Sequence, residues 1–417
     1  MPGASLPDNQ LPANQLKVDL HTHSRFAMST SPLLDIDTLA AGARRKGLDL
    51  LTTGDFTHPV WLDELKSELT ETSDGVFESH TGGKFILGTE ISCVWKQDGR
   101  GRRVHLLVLA PGFDAVDAVC EELARLQRLE SDGRPILKIS ARDLAEIVWT
   151  ASDRCVVIPA HVWTPWYGLY GSKSGFDSLE ECFGDLSGRI RAIETGLSSD
   201  PAMNWRVPDL DSRSIVSFSD AHSPASLGRE FTVIQSDLDY DAVTDAIQIC
   251  GGIVETVEFF PENGKYHLNG HRKCGIRLEP HETPEDGRCP ACSRPLTLGV
   301  LQRLEELSDR PAHATMTSGG LISGPAGRPP FRRLVQLADL VSDALGVGPK
   351  SRTVARARDA LVDEFGNELT ALLHAPIADI TYTASPPIAS AIDAVRRGRV
   401  NIQPGYDGVY GTVSTHR

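Results

Sequence analysis

The fold is decided by the stretch Lys17-Val18-Asp19-Leu20-His21-Thr22-His23-Ser24, in which a short apolar strand runs directly into two histidines. On a β-strand, residues i and i+2 point to the same face, so the imidazoles of His21 and His23 can reach one ion. An HxH pair alone is weak evidence, because paired histidines also occur in cores and on surfaces. The pair gains weight from the residues that follow later strands.

Short apolar runs alternate with helical patterns from residue 17 to about residue 260. The candidate strands are 17–20, 50–53, 85–88, 104–109, 156–159, 191–194, 215–218 and 232–234, and the candidate helices between them include 37–46, 115–129, 141–150 and 241–249. This succession predicts an α/β fold, a parallel barrel of repeated βα units.

Histidines and acids recur at or just after these strands, where barrels gather their functional groups. The candidate metal ligands are His21, His23, Asp55, His58, Glu90, His105, His161, Asp220 and His222. Imidazole with carboxylate suits divalent ions such as Zn, Mn or Fe, with Mg also considered, and a carboxylate such as Glu90 can bridge two of them. Two ions about 3.5–4 Å apart stabilise the charge that develops on a phosphodiester. We therefore predict phosphate-ester hydrolysis, with Glu90, Asp220 and His222 as the catalytic groups and Asp220 or a neighbouring histidine moving protons.

The order HxH, acid and His, GxE, His, His and DxH resembles the polymerase-and-histidinol-phosphatase (PHP) superfamily. A closer resemblance, to endonuclease Q, is carried by DLHTHS (19–24), TGDFTHPVWL (53–62), PAHVWTPW (159–166), FSDAHS (218–223), YHLNGHRKC (266–274) and PGYDGVYG (404–411). This resemblance implies a PHP-type distorted (β/α)7 barrel. It also implies a repair endonuclease that cuts DNA on the 5′ side of deaminated bases, such as hypoxanthine, xanthine or uracil, and at abasic sites.

Two positions depart from the general PHP pattern. Phe56 follows Asp55 where the family usually has a histidine, and Ser29 stands where many PHP enzymes have another early histidine. The number of ions in the barrel therefore stays open between two and three.

A second metal site is predicted downstream of the barrel. His271 and Cys274, then Cys289 and Cys292, form two knuckles with x2 spacing, separated by a loop of 14 residues. Such paired knuckles close a tetrahedral structural zinc site, whose binding energy supports a small segment that lacks a core. His267 and His281 are alternatives for the histidine ligand.

DNA contacts are expected from aromatic and basic residues outside the ligand series, because aromatic faces stack on unpaired bases and arginines bind phosphates. The candidates are Trp163, Trp166, Tyr167 and Lys173 in the loop after His161, together with Arg328, Tyr406 and Tyr410. For the aromatic residues, packing of the barrel's lid is an equally good interpretation. Tyr406 and Tyr410 rest on the family resemblance only.

The formal net charge of -14 argues against a protein that coats nucleic acid non-specifically, but acids that hold cations also count in this sum. In residues 313–417, Lys and Arg outnumber Asp and Glu by 11 to 9, which makes this region the better place for DNA contacts. We expect a disordered tail (1–16), a PHP catalytic domain (17–260), an inserted or appended zinc-binding module (261–312) and an α-rich, DNA-engaging C-terminal domain (313–417), with helices at 331–345, 352–365 and 388–397.

Five of the eight cysteines are scattered singly, and we interpret them as reduced. No apolar run is long enough to span a membrane, and the N-terminus lacks the features of a leader, so we expect a cytoplasmic protein without membrane partners. The expected partner is damaged DNA, and protein partners are unknown. Two other functions remain open: a PHP-type phosphatase acting on a small phosphate monoester, and a non-catalytic DNA-binding protein.

Overall fold

The structure, a computed structural model, describes residues 14–415 and builds them around a large mixed β-sheet. Its strands and those of three small sheets are β1 (Gln15–Asp19), β2 (Leu50–Thr52), β3 (Leu69–Ser73), β4 (Val76–Ser79), β5 (Lys84–Gln97), β6 (Arg100–Ala110), β7 (Ile136–Leu137), β8 (Val156–Pro159), β9 (Ala192–Glu194), β10 (Ser214–Val216), β11 (Phe231–Gln235), β12 (Ile253–Glu258), β13 (Asn269–His271), β14 (Ile276–Leu278), β15 (Thr315–Met316), β16 (Ile322–Ser323), β17 (Phe331–Arg333), β18 (Asn401–Gln403) and β19 (Thr412–Ser414).

Helices connect the strands and dominate the C-terminal quarter of the chain. They are α1 (Ile36–Lys46), α2 (Pro59–Glu68), α3 (Phe113–Leu126), α4 (Ala141–Ala151), α5 (Leu179–Phe183), α6 (Pro201–Asn204), α7 (Tyr240–Gln248), α8 (Val300–Leu307), α9 (Leu337–Leu345), α10 (Arg352–Phe365), α11 (Glu368–Leu373), α12 (Ile377–Thr383) and α13 (Pro386–Arg396). Within residues 14–415, no helix is both long and apolar enough to cross a bilayer.

The strands that carry the site follow one another as neighbours. β1 pairs with β2 and β2 with β5 in parallel, whereas β5 pairs with β6 and β6 with β8 in antiparallel fashion. β9 pairs in parallel with β10. Backbone hydrogen bonds then link Val162, after β8, to Glu194 on β9, and Ala221, after β10, to His21. These links bring the ends of separate strands together, but the pairing is mixed and not the all-parallel arrangement expected from repeated βα units.

The buried apolar residues form two cores, which explain the apolar runs of the strands. The first, called the inner core, includes Val18, Leu50, Ile86, Leu109 and Val216, each from a different strand, together with residues of α7. The outer core lies between the strands and the helices. Strands that are buried on both faces carry nearly continuous apolar runs, which is the pattern visible in the sequence.

All eight candidate strands coincide with strands of the structure, namely β1, β2, β5, β6, β8, β9, β10 and β11. The helix expected over 331–345 is corrected in its first part, because Phe331–Arg333 forms β17 and the helix begins only at Leu337. β17 pairs in parallel with β12, and Phe331 is fully buried. Tertiary pairing thus overrides the local helical pattern.

Of the tail expected at 1–16, residues 1–13 lie outside the described residues, and Gln15 already belongs to β1. The C-terminal region is helical from α9 to α13. It packs on α1, where the Lys46 ammonium donates to Glu368 over 2.9 Å in a buried ion pair. The domain boundaries predicted from the sequence remain predictions.

Candidate active site

Both histidines that follow β1 have one ring nitrogen fixed by a carboxylate. His21 Nδ1 lies 2.9 Å from Glu194 Oε1, and His23 Nδ1 lies 2.9 Å from Asp55 Oδ1. Because an ionised carboxylate only accepts, each Nδ1 carries a hydrogen and each Nε2 is directed at the centre of the site. The two rings are completely buried.

Glu90 joins two groups of ligand atoms. The first group comprises His21, His23, Glu90 and Asp220, and the second comprises Glu90, His105 and His161; within each, the atoms lie within 4.8 Å of one another. Glu90 Oε1 is 2.6 Å from His105 Nδ1 and 3.0 Å from His161 Nε2, while Glu90 Oε2 is 3.4 Å from His23 Nε2. One carboxylate therefore faces two neighbouring positions for a cation.

The electrostatics of the site favour positive charge. Burial opposes protonation of His21, but the charges of Glu194 and Asp220 outweigh it and raise the pKa of His21 to about 10. Despite the opposing effect of burial, the pKa of Glu90 is lowered well below its ordinary value by His105 and Arg134. A divalent cation would supply the same compensation and displace the protons from the imidazoles.

The donor set fits a metal centre. His21 Nε2 is buried and has no hydrogen-bond partner among the described residues, although it is surrounded by carboxylates at 3.5–3.7 Å. A buried nitrogen without a partner is costly unless something binds it. Imidazole and carboxylate are ligands that divalent transition-metal ions accept.

Three of the predicted ligands lie outside these two groups. Asp55 accepts from the backbone and hydroxyl of Ser24 and orients His23, so it acts behind the ligands and not as one of them. His58 is separate: its Nδ1 caps α2, its Nε2 faces the Glu130 carbonyl at 3.2 Å, and its ring stacks on Phe26. The structure therefore corrects the assignment of His58 as a ligand.

His222 lies at the edge of the first group. Its ring is 4.6 Å from that of His23, and its Nδ1 lies 2.9 Å from the Asp220 carbonyl oxygen. A carbonyl can only accept, so Nδ1 donates and Nε2 keeps its lone pair. Burial lowers the pKa of His222 more than the charge of Asp220 raises it, which keeps the ring neutral.

Sequence reasoning missed Glu194, Arg134 and Arg229. Glu194 is the last residue of β9, much as His21, His161 and Asp220 follow the ends of their strands, and this position was the available signal. It holds His21 and also accepts from the His161 backbone N–H at 2.7 Å. Arg134 donates to Glu90 Oε2 at 3.0 Å from an irregular segment that carries no pattern.

The backbone is unusual at three residues of the site. Asp55, His161 and Asp220 have φ values of 48°, 31° and 48°, in the left-handed region that residues with a side chain rarely adopt. Such conformations persist only where the surrounding structure imposes them, and they cluster at functional sites.

An aromatic-lined cavity of about 560 Å³ opens beside the second ligand group. Its lining includes Trp166, Tyr167, Phe259, Tyr266 and Tyr410, next to His105, His161 and Asp220. The Trp166 and Tyr266 rings meet edge to face at 5.7 Å, and the Tyr167 ring lies 4.3 Å from that of His105. Tyr410 is exposed at the rim.

The other predicted DNA contacts lie elsewhere. Trp163 is 1% exposed and donates to Asn204, so it packs the interior. Arg328 donates to the carbonyls of Arg213 and Leu210, which occupies its guanidinium in holding the fold. Tyr406, in the segment 404–411, packs against Gly270. Lys173 is exposed, away from the aromatic-lined cavity, in a separate groove with Arg100 and Arg303.

The structure also brings together the four residues predicted to bind zinc. His271, Cys274, Cys289 and Cys292 place their ligand atoms within 4.8 Å of one another, and His271 Nδ1 lies 3.4 Å from the Cys292 sulfur. His267 and His281 are not part of this group. Of the three histidine candidates, His271 is the one that lies beside the three cysteines.

Comparison with known proteins identifies the family. The structure is similar to that of the lesion-specific endonuclease Q of Pyrococcus furiosus, with a TM-score of 0.83, 32% identity, and coverage of 96% of this chain and 95% of that one. The chain belongs to the endonuclease Q family. An endonuclease Q structure in complex with a 27-mer duplex substrate, with an abasic lesion at the active site, matches equally well, with a TM-score of 0.82, 32% identity, and coverage of 96% of each chain.

The C-terminal part of the chain also matches a family model of its own. Residues 336–399 match the family described as MJ0043 C-terminal domain. The uncharacterized protein MJ0043 of Methanocaldococcus jannaschii is 34% identical over 260 residues, which are 60% of this chain. The matched part spans only 31% of the length of that relative.

Proposed function

We propose that this endonuclease Q family member is a metal-dependent hydrolase that cuts a DNA phosphodiester bond at a damaged nucleotide, with abasic sites among its substrates. The observation that carries this proposal is the position of Glu90, shared by two groups of ligand atoms beside an aromatic-lined cavity. One end of the site suits cations and phosphate, and the other suits a nucleotide that has left the duplex.

The cations would be held by His21, His23, Glu90 and Asp220 on one side and by Glu90, His105 and His161 on the other. When bound, two divalent ions supply Lewis-acid activation of water and neutralise charge on the phosphate. The proposal leaves the identity of the ions open among Zn, Mn, Mg and Fe. It also leaves open whether a third ion binds.

The protein's own groups prepare this chemistry. Glu194 and Asp55 fix the tautomers of His21 and His23, so that both Nε2 lone pairs point inward. Arg134 holds one oxygen of Glu90. His222 is half-buried and neutral, and its free Nε2 makes it the group we assign to accept a proton from the attacking water. Asp220, held ionised, serves as a ligand and not as the base.

Three further assignments complete the proposal. We infer that β1, β2, β5, β6, β8, β9 and β10 are the seven strands of a distorted PHP-type barrel closed around the inner core. We assign a structural zinc to His271, Cys274, Cys289 and Cys292. We assign the aromatic-lined cavity to the displaced nucleotide, with Trp166, Tyr167 and Tyr410 as stacking surfaces.

End-labelled duplexes test the function. Each carries one abasic site, hypoxanthine or uracil, or no lesion, and is incubated with the protein and Mg²⁺, Mn²⁺ or Zn²⁺. We expect metal-dependent cutting on the 5′ side of the lesion and none of the intact duplex. Equal cutting of all four duplexes would exclude lesion specificity, and release of phosphate from a small monoester with intact DNA would replace the proposal with phosphatase activity.

A further inference from the structure

Arg229 lines the aromatic-lined cavity next to Asp220, between the DxH segment and β11. It is half-buried, and neither its position in the sequence nor its spacing marks it as functional. What distinguishes it is the way its guanidinium is held.

The backbone holds one side of this guanidinium. Arg229 Nε donates to the Ser219 carbonyl at 2.7 Å, and Nη2 donates to the Asp220 carbonyl at 3.0 Å. The third nitrogen, Nη1, has no hydrogen-bond partner within residues 14–415. These two hydrogen bonds fix the position of the Arg229 side chain. Its guanidinium is charged at any relevant pH.

The guanidinium of Arg229 has no carboxylate in direct contact, and its charge acts on the buried Glu230 only at longer range. Among the described residues, no carboxylate oxygen lies within the 4.0 Å that defines an ion pair with its guanidinium. Arg134, by contrast, pairs with Glu90, and Arg333 pairs with Asp200 and Glu262. A partly buried cation without a counter-ion in contact is unfavourable on its own, which indicates that an anionic ligand binds there.

We propose that Arg229 binds a non-bridging oxygen of the phosphodiester that is cut. This inference rests on the proposed function, which places that phosphate between the ligand groups and the cavity. A rigid, charged donor aimed at the phosphate stabilises the negative charge that grows in the transition state. Arg229 is then a catalytic residue, in addition to holding the turn at Asp220.

The test compares Arg229→Gln and Arg229→Lys with a matched control, Arg328→Gln. Arg328 also donates to two backbone carbonyls but lies away from the site. We expect Arg229→Gln to lower the single-turnover cleavage rate of an abasic duplex by about 10²–10³-fold, as for loss of one transition-state donor. Duplex affinity should change little, since many phosphates contribute to it. The cleavage rate of Arg229→Lys should lie between those of the parental protein and Arg229→Gln. The control, Arg328→Gln, should cut at the parental rate.

Three readouts separate phosphate binding from a merely structural role. Inorganic phosphate should inhibit the parental enzyme at least about tenfold more strongly than Arg229→Gln, as expected for loss of a charge-assisted contact. Bound divalent metal, measured by mass spectrometry, should be the same in both proteins. Added guanidinium should partly restore cutting to Arg229→Ala and not alter Arg328→Ala.

An unchanged cleavage rate and unchanged phosphate inhibition in Arg229→Gln would overturn the inference and leave the proposed function intact. Loss of metal from Arg229→Gln, with full recovery in excess metal, would also overturn it, because Arg229 would then act only on the Asp220 turn. If the parental protein cuts no duplex, the proposed function fails, and calorimetric binding of inorganic phosphate to the metal-loaded proteins still decides the role of Arg229.

Discussion

His21 and His58 have the same side chain and the same predicted role, yet their ring nitrogens have different surroundings. One nitrogen of His21 is held by Glu194 and the other is buried without a partner, whereas both nitrogens of His58 are engaged outside the ligand groups. We expect His21→Ala to abolish cutting with the fold retained. His58→Ala should cut normally and lose about 1 kcal/mol of stability as a lost helix cap. Cleavage assays and urea unfolding of both variants check this pair, and an inactive, fully folded His58→Ala would contradict it.

Glu258 links stability to pH. Burial, and then the charge of Asp200, raise its pKa to about 8, while hydroxyls of Ser217, Thr195 and Thr256 donate to it. The folded pKa exceeds the ordinary 4.5, so the stabilisation is complete below about pH 4.5 and is lost as the pH rises through about 8. Across that window the free energy of unfolding should fall by up to ~1.4 kcal/mol per pH unit. In Glu258→Gln, the free energy of unfolding should fall less steeply with pH than in the parental protein. Parallel pH profiles of the two proteins would refute this prediction.

The sequence indicated those residues of the candidate site that lie on or directly after a strand and belong to a motif. His21, His23, Glu90, His161 and Asp220 were found in this way. Arg134 and Arg229 were not, because they lie in irregular segments where only the folded chain brings them to the ligands. The exclusion of His58 likewise required its helix cap to be seen, since spacing alone cannot tell a cap from a ligand.

At the scale of elements, the glycine-rich segment 162–177 is held by its own backbone. Tyr170 N donates to the Val162 carbonyl, Gly175 N to that of Gly171, and Phe176 N to that of Leu169. The glycines permit this folding because chain segments pass too close for a side chain. The segment is therefore a fixed wall of the cavity, although its composition resembles that of a flexible loop.

Gly171→Ala tests this close packing. A Cβ at Gly171 would overlap the Thr164 carbonyl oxygen and lie 2.8 Å from that of Pro165, so the segment must shift and displace Trp166 and Tyr167. We expect at least a tenfold loss of cutting at an abasic site, since small displacements near the reacting groups are costly. Gly101→Ala is the control, because nothing lies within 4 Å of its added Cβ. Equal activity of the two variants, measured on the same duplex, would show that the wall tolerates the shift.

Local pattern failed where tertiary pairing decided the element. Residues 331–333 continue an apparently helical pattern, but they pair with the edge of β12 that faces away from β11, and Phe331 fills a buried position there. The strands around the candidate site were predictable because burial on both faces leaves apolar runs. The directions of β6 and β8 were not predictable, since direction is set by connections that single segments do not encode.

At the scale of the molecule, the region 261–312, which contains the candidate zinc ligands, contacts the segment that lines the cavity. Arg303 on α8 donates to carbonyls of Tyr170 and Phe176, and Tyr266 contacts Trp166. We expect Cys289→Ser to lose one zinc per chain, to lower the melting temperature by several degrees, and to weaken discrimination between abasic and intact duplex. Metal analysis, calorimetry and the duplex assay measure these three effects. Cys120→Ser should keep its zinc, and a Cys289→Ser protein with unaltered zinc content would rule out the assigned site.

The pairing of β12 with β17 has a consequence for synthesis. The two strands are neighbours in the sheet but are separated by more than seventy residues of chain, and Arg333 at the end of β17 reaches Asp200 and Glu262 beside the cavity. A nascent polypeptide stalled on the ribosome before residue 331 would expose an unpaired edge and lack this anchor. Competence to cut DNA is thereby deferred until β17 has been synthesised.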